Sequence, residues 1–226
     1  SKDIDLGGEP WTPIGKTDYG KGFKGSLDGK GHTIKNLRID STDDYQGLFG
    51  YVIEAEIRDL FVSGTVKGGG YTAGLIAKAG ADTIVENCIV TANITSTKGY
   101  AGGLIGDISG RGVKINQSAH IGTVTGNAYN VGGLIGRINY KAEVENCYHR
   151  GTVANESGNT GGLVGQLNDS GAVIENCYSV GMVTGKSDSN PLIGKKSSGS
   201  VKNCYYEGVK GARSEEHTSE LQSRRH

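Results

Sequence analysis

The chain has 226 residues, enough for one domain with a sizeable core. Lys plus Arg and Asp plus Glu number 24 each, so the formal net charge is zero and no basic stripe marks a nucleic-acid partner. No apolar run approaches the roughly 18 residues that a membrane helix needs, which argues against membrane insertion in this segment.

The chain starts at Ser1 without a methionine and reads as a piece cut from something longer. Its 39 glycines stand against 3 prolines, far above ordinary glycine usage, yet without the three-residue period of collagen. The first coils are placed at residues 1–46, where Trp11-Thr12-Pro13-Ile14-Gly15 is followed by Phe23-Lys24-Gly25-Ser26-Leu27-Asp28-Gly29-Lys30-Gly31-His32-Thr33-Ile34. From there one block recurs six times: Gly47-Leu48-Phe49-Gly50, Gly74-Leu75-Ile76-Ala77, Gly103-Leu104-Ile105-Gly106, Gly133-Leu134-Ile135-Gly136, Gly162-Leu163-Val164-Gly165 and Pro191-Leu192-Ile193-Gly194. The leucines are spaced by 27, 29, 30, 29 and 29 residues. A fixed period in this range marks a solenoid, whose units bury their apolar faces only by stacking.

Within one unit, Leu134-Ile135, Val144-Glu145-Asn146-Cys147-Tyr148 and Gly151-Thr152-Val153 are short apolar segments separated by glycine- and asparagine-containing turns. That pattern fits strands, and apolar residues nowhere recur at helical spacing over a helix's length. The expected fold is all-β: a right-handed parallel β-helix of six to seven coils in one domain, 1–211, with about 29 residues and three short strands per coil. Three further columns set the register. One runs Ile34, Ile57, Val85, Ile115, Val144, Ile174, Val201; the second Asn36, Asp59, Asn87, Gln117, Asn146, Asn176, Asn203; the third Leu37, Leu60, Cys88, Ser118, Cys147, Cys177, Cys204. The amide column is expected to form a ladder at a corner, satisfying buried polar groups along the axis.

These blocks resemble the GLUG motif repeats of bacterial secreted and surface proteins, over about Trp11 to Tyr206. The resemblance implies a right-handed parallel β-helix in a large extracellular or cell-surface protein, such as an adhesin-like chain or a secreted metallopeptidase that cleaves immunoglobulin A. Ala77, Pro191 and Ser118 depart from the pattern in single coils. Activity does not follow from such a likeness, since one fold carries many functions.

Candidate chemistry is sparse. The four cysteines lie 59, 30 and 27 residues apart, without a Cys-x-x-Cys pair, and share one column with Leu37 and Leu60. They read as small apolar core residues with free thiols. Gly20-Lys21-Gly22-Phe23-Lys24-Gly25 matches a dinucleotide fingerprint in letters only, because another turn follows where a helix is required. Asp28 and His32 are expected to hydrogen-bond a turn rather than perform acid-base work, and His120 with His149 suggest a weak surface metal clasp lacking a third ligand. No catalytic, cofactor-binding or metal residue is assigned, and no cofactor is expected. Tyr148, Tyr178 and Tyr205, beside Tyr206, form the candidate binding ridge if their column faces outward, and core packing if it faces inward. Residues 212–226 break the repeat and resemble the translation of a sequencing adapter. The leading reading is a non-catalytic stalk or adhesive module, with a host or bacterial surface glycan or protein as partner. The alternatives are the accessory β-helix of an immunoglobulin A-type zinc metallopeptidase and a polysaccharide lyase or hydrolase.

Overall fold

The computed structural model describes residues 2–15, 21–186 and 188–208; the stretch read as an adapter-like tail lies outside them. Every strand pairing among the described residues is parallel and joins a segment to its counterpart one coil away. Following Ile57, Val85, Ile115, Val144, Ile174 and Val201, the register advances 27 to 30 residues per turn. The molecule is a β-solenoid of about seven turns. One coil runs through Asn130–Gly132, Ile135–Ile138, Ala142–Glu145 and Tyr148–Asn155, so that the Gly133-Leu134 step splits one side into two segments. Leu48, Leu75, Leu104, Leu134, Leu163 and Leu192 of that step are all buried and form one rank of the core.

The block glycines have a packing cause. Val90, His120, His149 and Ser179 form a parallel column pointing inward. A Cβ added at Gly74, Gly103, Gly133 or Gly162 would land on Val90, His120, His149 or Ser179 respectively. Glycine is thus the residue that lets the backbone lie against this column. In the next coil Pro191 takes the glycine's place, and the column continues as Tyr206, which stands 46% exposed.

The amide column behaves differently from the sequence expectation. Asp59, Asn87, Gln117, Asn146, Asn176 and Asn203 all have φ between 49° and 55°, so each makes the corner in the left-handed region that Asn and Asp tolerate best among side-chain-bearing residues. A ladder exists, since Asn87 Nδ2 donates to Asp59 Oδ1 at 2.6 Å and Asn203 Nδ2 to Asn176 Oδ1 at 3.3 Å. These bonds lie at the surface, however, so the column serves the turn and not buried groups.

The first coil also needs correction. Leu27, not Ile34, pairs with Ile57, while Ile34 pairs with Val62 and Leu37 with Gly64. The turn through Gly29, Lys30 and Gly31 inserts two residues between Asp28↔Arg58 and His32↔Leu60, and Lys30 takes the left-handed corner at φ 51°. Asp28 Oδ1 accepts from Lys30 N at 2.9 Å, as expected for a turn, and His32 Nδ1 lies 3.5 Å from Asp3 Oδ1.

The cysteine column is buried and its four thiols are free. It is not merely apolar. Cys147, Cys177 and Cys204 Sγ donate to the carbonyls of Glu145, Glu175 and Lys202 at 3.0 to 3.1 Å. Backbone N–H groups of the preceding coil reach the same atoms: Ser118 N to Cys147 Sγ at 3.5 Å and Cys147 N to Cys177 Sγ at 3.4 Å. Ser118 Oγ does the equivalent work, accepting from Cys88 N and donating to Asn116 O, which explains why serine fits this column. Burial pushes the Cys88 thiol up to about 12, and the neighbouring Cys147 thiol does the same to Cys177. Thiolate chemistry is therefore suppressed in the folded chain. A thiol titration is expected to find the folded protein slow to react and four reactive groups after denaturation without reductant; any smaller count would establish bridging.

Candidate functional site

The ridge residues emerge on the far side of the amide corner. Because the left-handed residue turns the chain, Cys147 points in and Tyr148 out, and the alternation resumes with His149 in and Arg150 out. Tyr148 pairs with Tyr178, and Tyr178 with Tyr205, on three successive coils. Tyr178 and Tyr205 are 43% and 49% exposed, so the column faces solvent. It continues backward as Ala119, Ile89 and Phe61, of which Ala119 is fully buried. The rings of Tyr148 and Tyr178 stack 4.9 Å apart with only 3° between their planes. Their facing surfaces cover each other, so the ridge presents ring edges and hydroxyls rather than a row of open ring faces. Burial and the neighbouring Tyr148 ring raise the Tyr178 phenol's pKa, keeping it a neutral donor and acceptor near neutrality.

The two histidines are not a surface clasp. His120 and His149 are buried, stack with centroids 5.1 Å apart and 9° between planes, and place Nδ1 3.1 Å from Nδ1. One of these nitrogens must carry the proton and the other accept it. His120 Nε2 lies 2.8 Å from Ala92 O, whereas His149 Nε2 is buried with no partner. Burial drives both pKa values down, His120 to about 4 and His149 to about 3, so both rings are neutral at physiological pH. Among the described residues no group of three or more His, Cys, Asp or Glu is arranged to hold a metal ion.

A second aromatic column was not singled out in the sequence. Tyr45, Tyr71 and Tyr100 follow one another with ring centroids 4.7 and 5.4 Å apart. The Lys78 ammonium lies 5.2 to 5.9 Å from the rings of Tyr45, Tyr51 and Tyr71, and the Arg137 guanidinium 3.9 Å from that of Tyr100. Arg137 also grips Asp107 through Nε at 2.7 Å and Nη2 at 3.1 Å, and donates from Nη1 to the Tyr100 hydroxyl at 2.8 Å. Asp107 is fully buried, and this fork supplies the pairing that a buried carboxylate requires. The seam satisfies itself and holds coils together. Its sequence signal was Tyr71 and Tyr100, each three residues ahead of a block glycine.

An open cleft of about 700 Å³ lies at the amino-terminal end, lined by Trp11, Arg38, Asp40, Asp43, Asp44, Tyr45 and Lys98 among others. Much of its polarity is already used. Asp44 accepts from Gly70 N and pairs with Lys98, Asp40 pairs with Lys67, and the Trp11 indole donates to Leu48 O.

Comparisons with known proteins agree with this architecture. Halomucin of Haloquadratum walsbyi is 37% identical over 119 residues, covering 51% of this chain and 1% of that protein. The immunoglobulin A1 protease of Streptococcus pneumoniae strain R6 is 29% identical over 125 residues, covering 51% of this chain and 6% of that one. The chain thus spans only a small fraction of these relatives. A crystal structure of a candidate immunoglobulin A1 protease from Bacteroides ovatus superimposes with a TM-score of 0.78 at 23% identity, covering 98% of this chain and 72% of the other, which is a likeness of fold. The model of the GLUG motif family matches residues 127–154. That segment forms one coil of the solenoid, and its column residues pair in register with those of the neighbouring turns.

Proposed function

We propose that the chain is a non-catalytic β-helix module of a larger secreted or surface protein, and that its ridge at Tyr148, Tyr178 and Tyr205 binds a glycan. The observation that carries this reading is the ridge itself: three consecutive coils present tyrosine to solvent in register, a costly use of aromatic surface unless something covers it. Phenol hydroxyls spaced by one coil, about 4.8 Å, form a row of donors and acceptors matched to an extended chain of sugar hydroxyls. Binding of the 226-residue chain to a glycan array tests it, with Tyr178→Ala as the control. The variant is expected to keep its thermal midpoint within a few degrees, since the ring is 43% exposed, and to lose at least tenfold in glycan affinity. A large loss of stability instead would return the column to a packing role.

A second reading, the accessory β-helix of an immunoglobulin A-type zinc metallopeptidase, is favoured by the kinship to the pneumococcal protease. A His-Glu-x-x-His segment in the full open reading frame would support it. Deleting the module would then be expected to raise KM for the glycoprotein substrate while leaving kcat unchanged.

A further inference from the structure

We propose that the ridge selects acidic glycans, and that Arg150 is the residue that reads the sugar carboxylate; this rests on the glycan-binding reading above. The outward positions of Ile89–Ser96, Ala119–Gly126, Tyr148–Asn155 and Tyr178–Gly185 carry Thr91, Asn93 and Thr95; Ile121, Thr123 and Thr125; Arg150, Thr152 and Ala154; and Val180, Met182 and Thr184 beside the ridge column. Arg150 is the one charged side chain on this four-strand face. It stands two residues from Tyr148 on the same side of its strand, exposed, with Ile121 and Val180 as its register neighbours. Neither neighbour can pair with a guanidinium. The nearest carboxylate in its column is Glu207, two coils away, and the two side chains form no ion pair. Arg150 acts on the Tyr178 phenol electrostatically, which places the charge at the ridge and not away from it.

A guanidinium left without a carboxylate in an otherwise uncharged face is complementary to one planar anion, which it engages bidentately. The surroundings specify what carries that anion. Thr123 and Thr152 supply hydroxyls beside it, and the tyrosines supply ring edges and phenols on the same outward face. A sugar bearing a carboxylate, sialate or uronate, fits this set: ring hydroxyls along the ridge, carboxylate on Arg150.

The test compares the 226-residue chain's affinity for sialyllactose with that for lactose, and for an oligogalacturonate with that for its methyl ester. The wild type is expected to prefer the acidic member of at least one pair by about tenfold or more, decreasing as salt is raised because the contact is exposed. Which pair responds identifies the source of the carboxylate. Arg150→Gln is expected to abolish the preference while retaining the weaker neutral binding, and Arg150→Lys to restore it in part. Tyr178→Ala should weaken both members of the responding pair. Equal binding of acidic and neutral sugars by the wild type, or an unchanged preference in Arg150→Gln, overturns the role of Arg150 and leaves the glycan ridge standing. Failure to bind any glycan on the array overturns both.

Discussion

Acidification from about pH 7.5 to about pH 5 is expected to cost the folded chain about 4 kcal/mol, through His120 and His149. Both groups have native pKa values, about 4 and about 3, below the ordinary 6.5, because burial disfavours the imidazolium. The unfolded chain then binds more protons than the folded one throughout this window, so stability falls as pH falls. The loss begins near pH 6.5 and continues down to the native values, and above pH 6.5 both states are neutral and stability is flat. Nothing offsets the first proton. His120 and His149 face each other, Val90 and Ser179 flank them in the column, and Gly103 and Gly133 lie against their rings, so no carboxylate is in contact. His120 Nε2 donates to Ala92 O, so its Nδ1 accepts from His149 Nδ1: protonating His120 breaks that bond, while a proton added at His149 Nε2 is buried with no partner. Urea unfolding at the two pH values measures the effect. The double variant His120→Val, His149→Ser takes its residues from the flanking coils and is expected to shrink the difference to within about 1 kcal/mol. An unchanged acid response in that variant would assign the loss to other groups.

Gly133→Ala is expected to destabilise the chain by about 3 kcal/mol or more, at the upper end for overpacking. The added methyl would meet the Gly162 carbonyl and the His149 ring together, and neither has space to retreat inside a stack of parallel coils. Gly74→Ala is the milder and more informative case. There the methyl meets Val90 Cγ1 most closely and the Gly103 carbonyl at 2.9 Å, so removing the valine branches makes room. Gly74→Ala alone is expected to cost about 2 kcal/mol, and Gly74→Ala with Val90→Ala to cost less than the sum of the two single changes. Strict additivity in that cycle would mean that the block glycine is required by its backbone alone and not by the column across the core.

Much of this was legible in the sequence, for an identifiable reason. Parallel stacking places residue n on residue n plus one coil, so identity of position becomes identity of environment, and spacing alone determined the β-solenoid, the coil length and the glycine-leucine rank in its core. The register failed in the first coil, whose pairing with the next shifts at Phe23/Gly25, Asp28/His32 and Ile34/Leu37, because no block repeats there to reset the count. What sequence did not determine was the direction each column faces. A left-handed corner at Asn146 leaves its own side chain outside, sends Cys147 in and Tyr148 out, and so breaks the simple alternation from which inside and outside are read. Only the folded coil decided that the amide ladder lies at the surface, that the two histidines meet in the core, and that Arg137 shares Asp107 and Tyr100 across adjacent turns. The same corner set the direction of the tyrosine column: Tyr148, Tyr178 and Tyr205 face solvent because one residue with positive φ precedes the cysteine ahead of each.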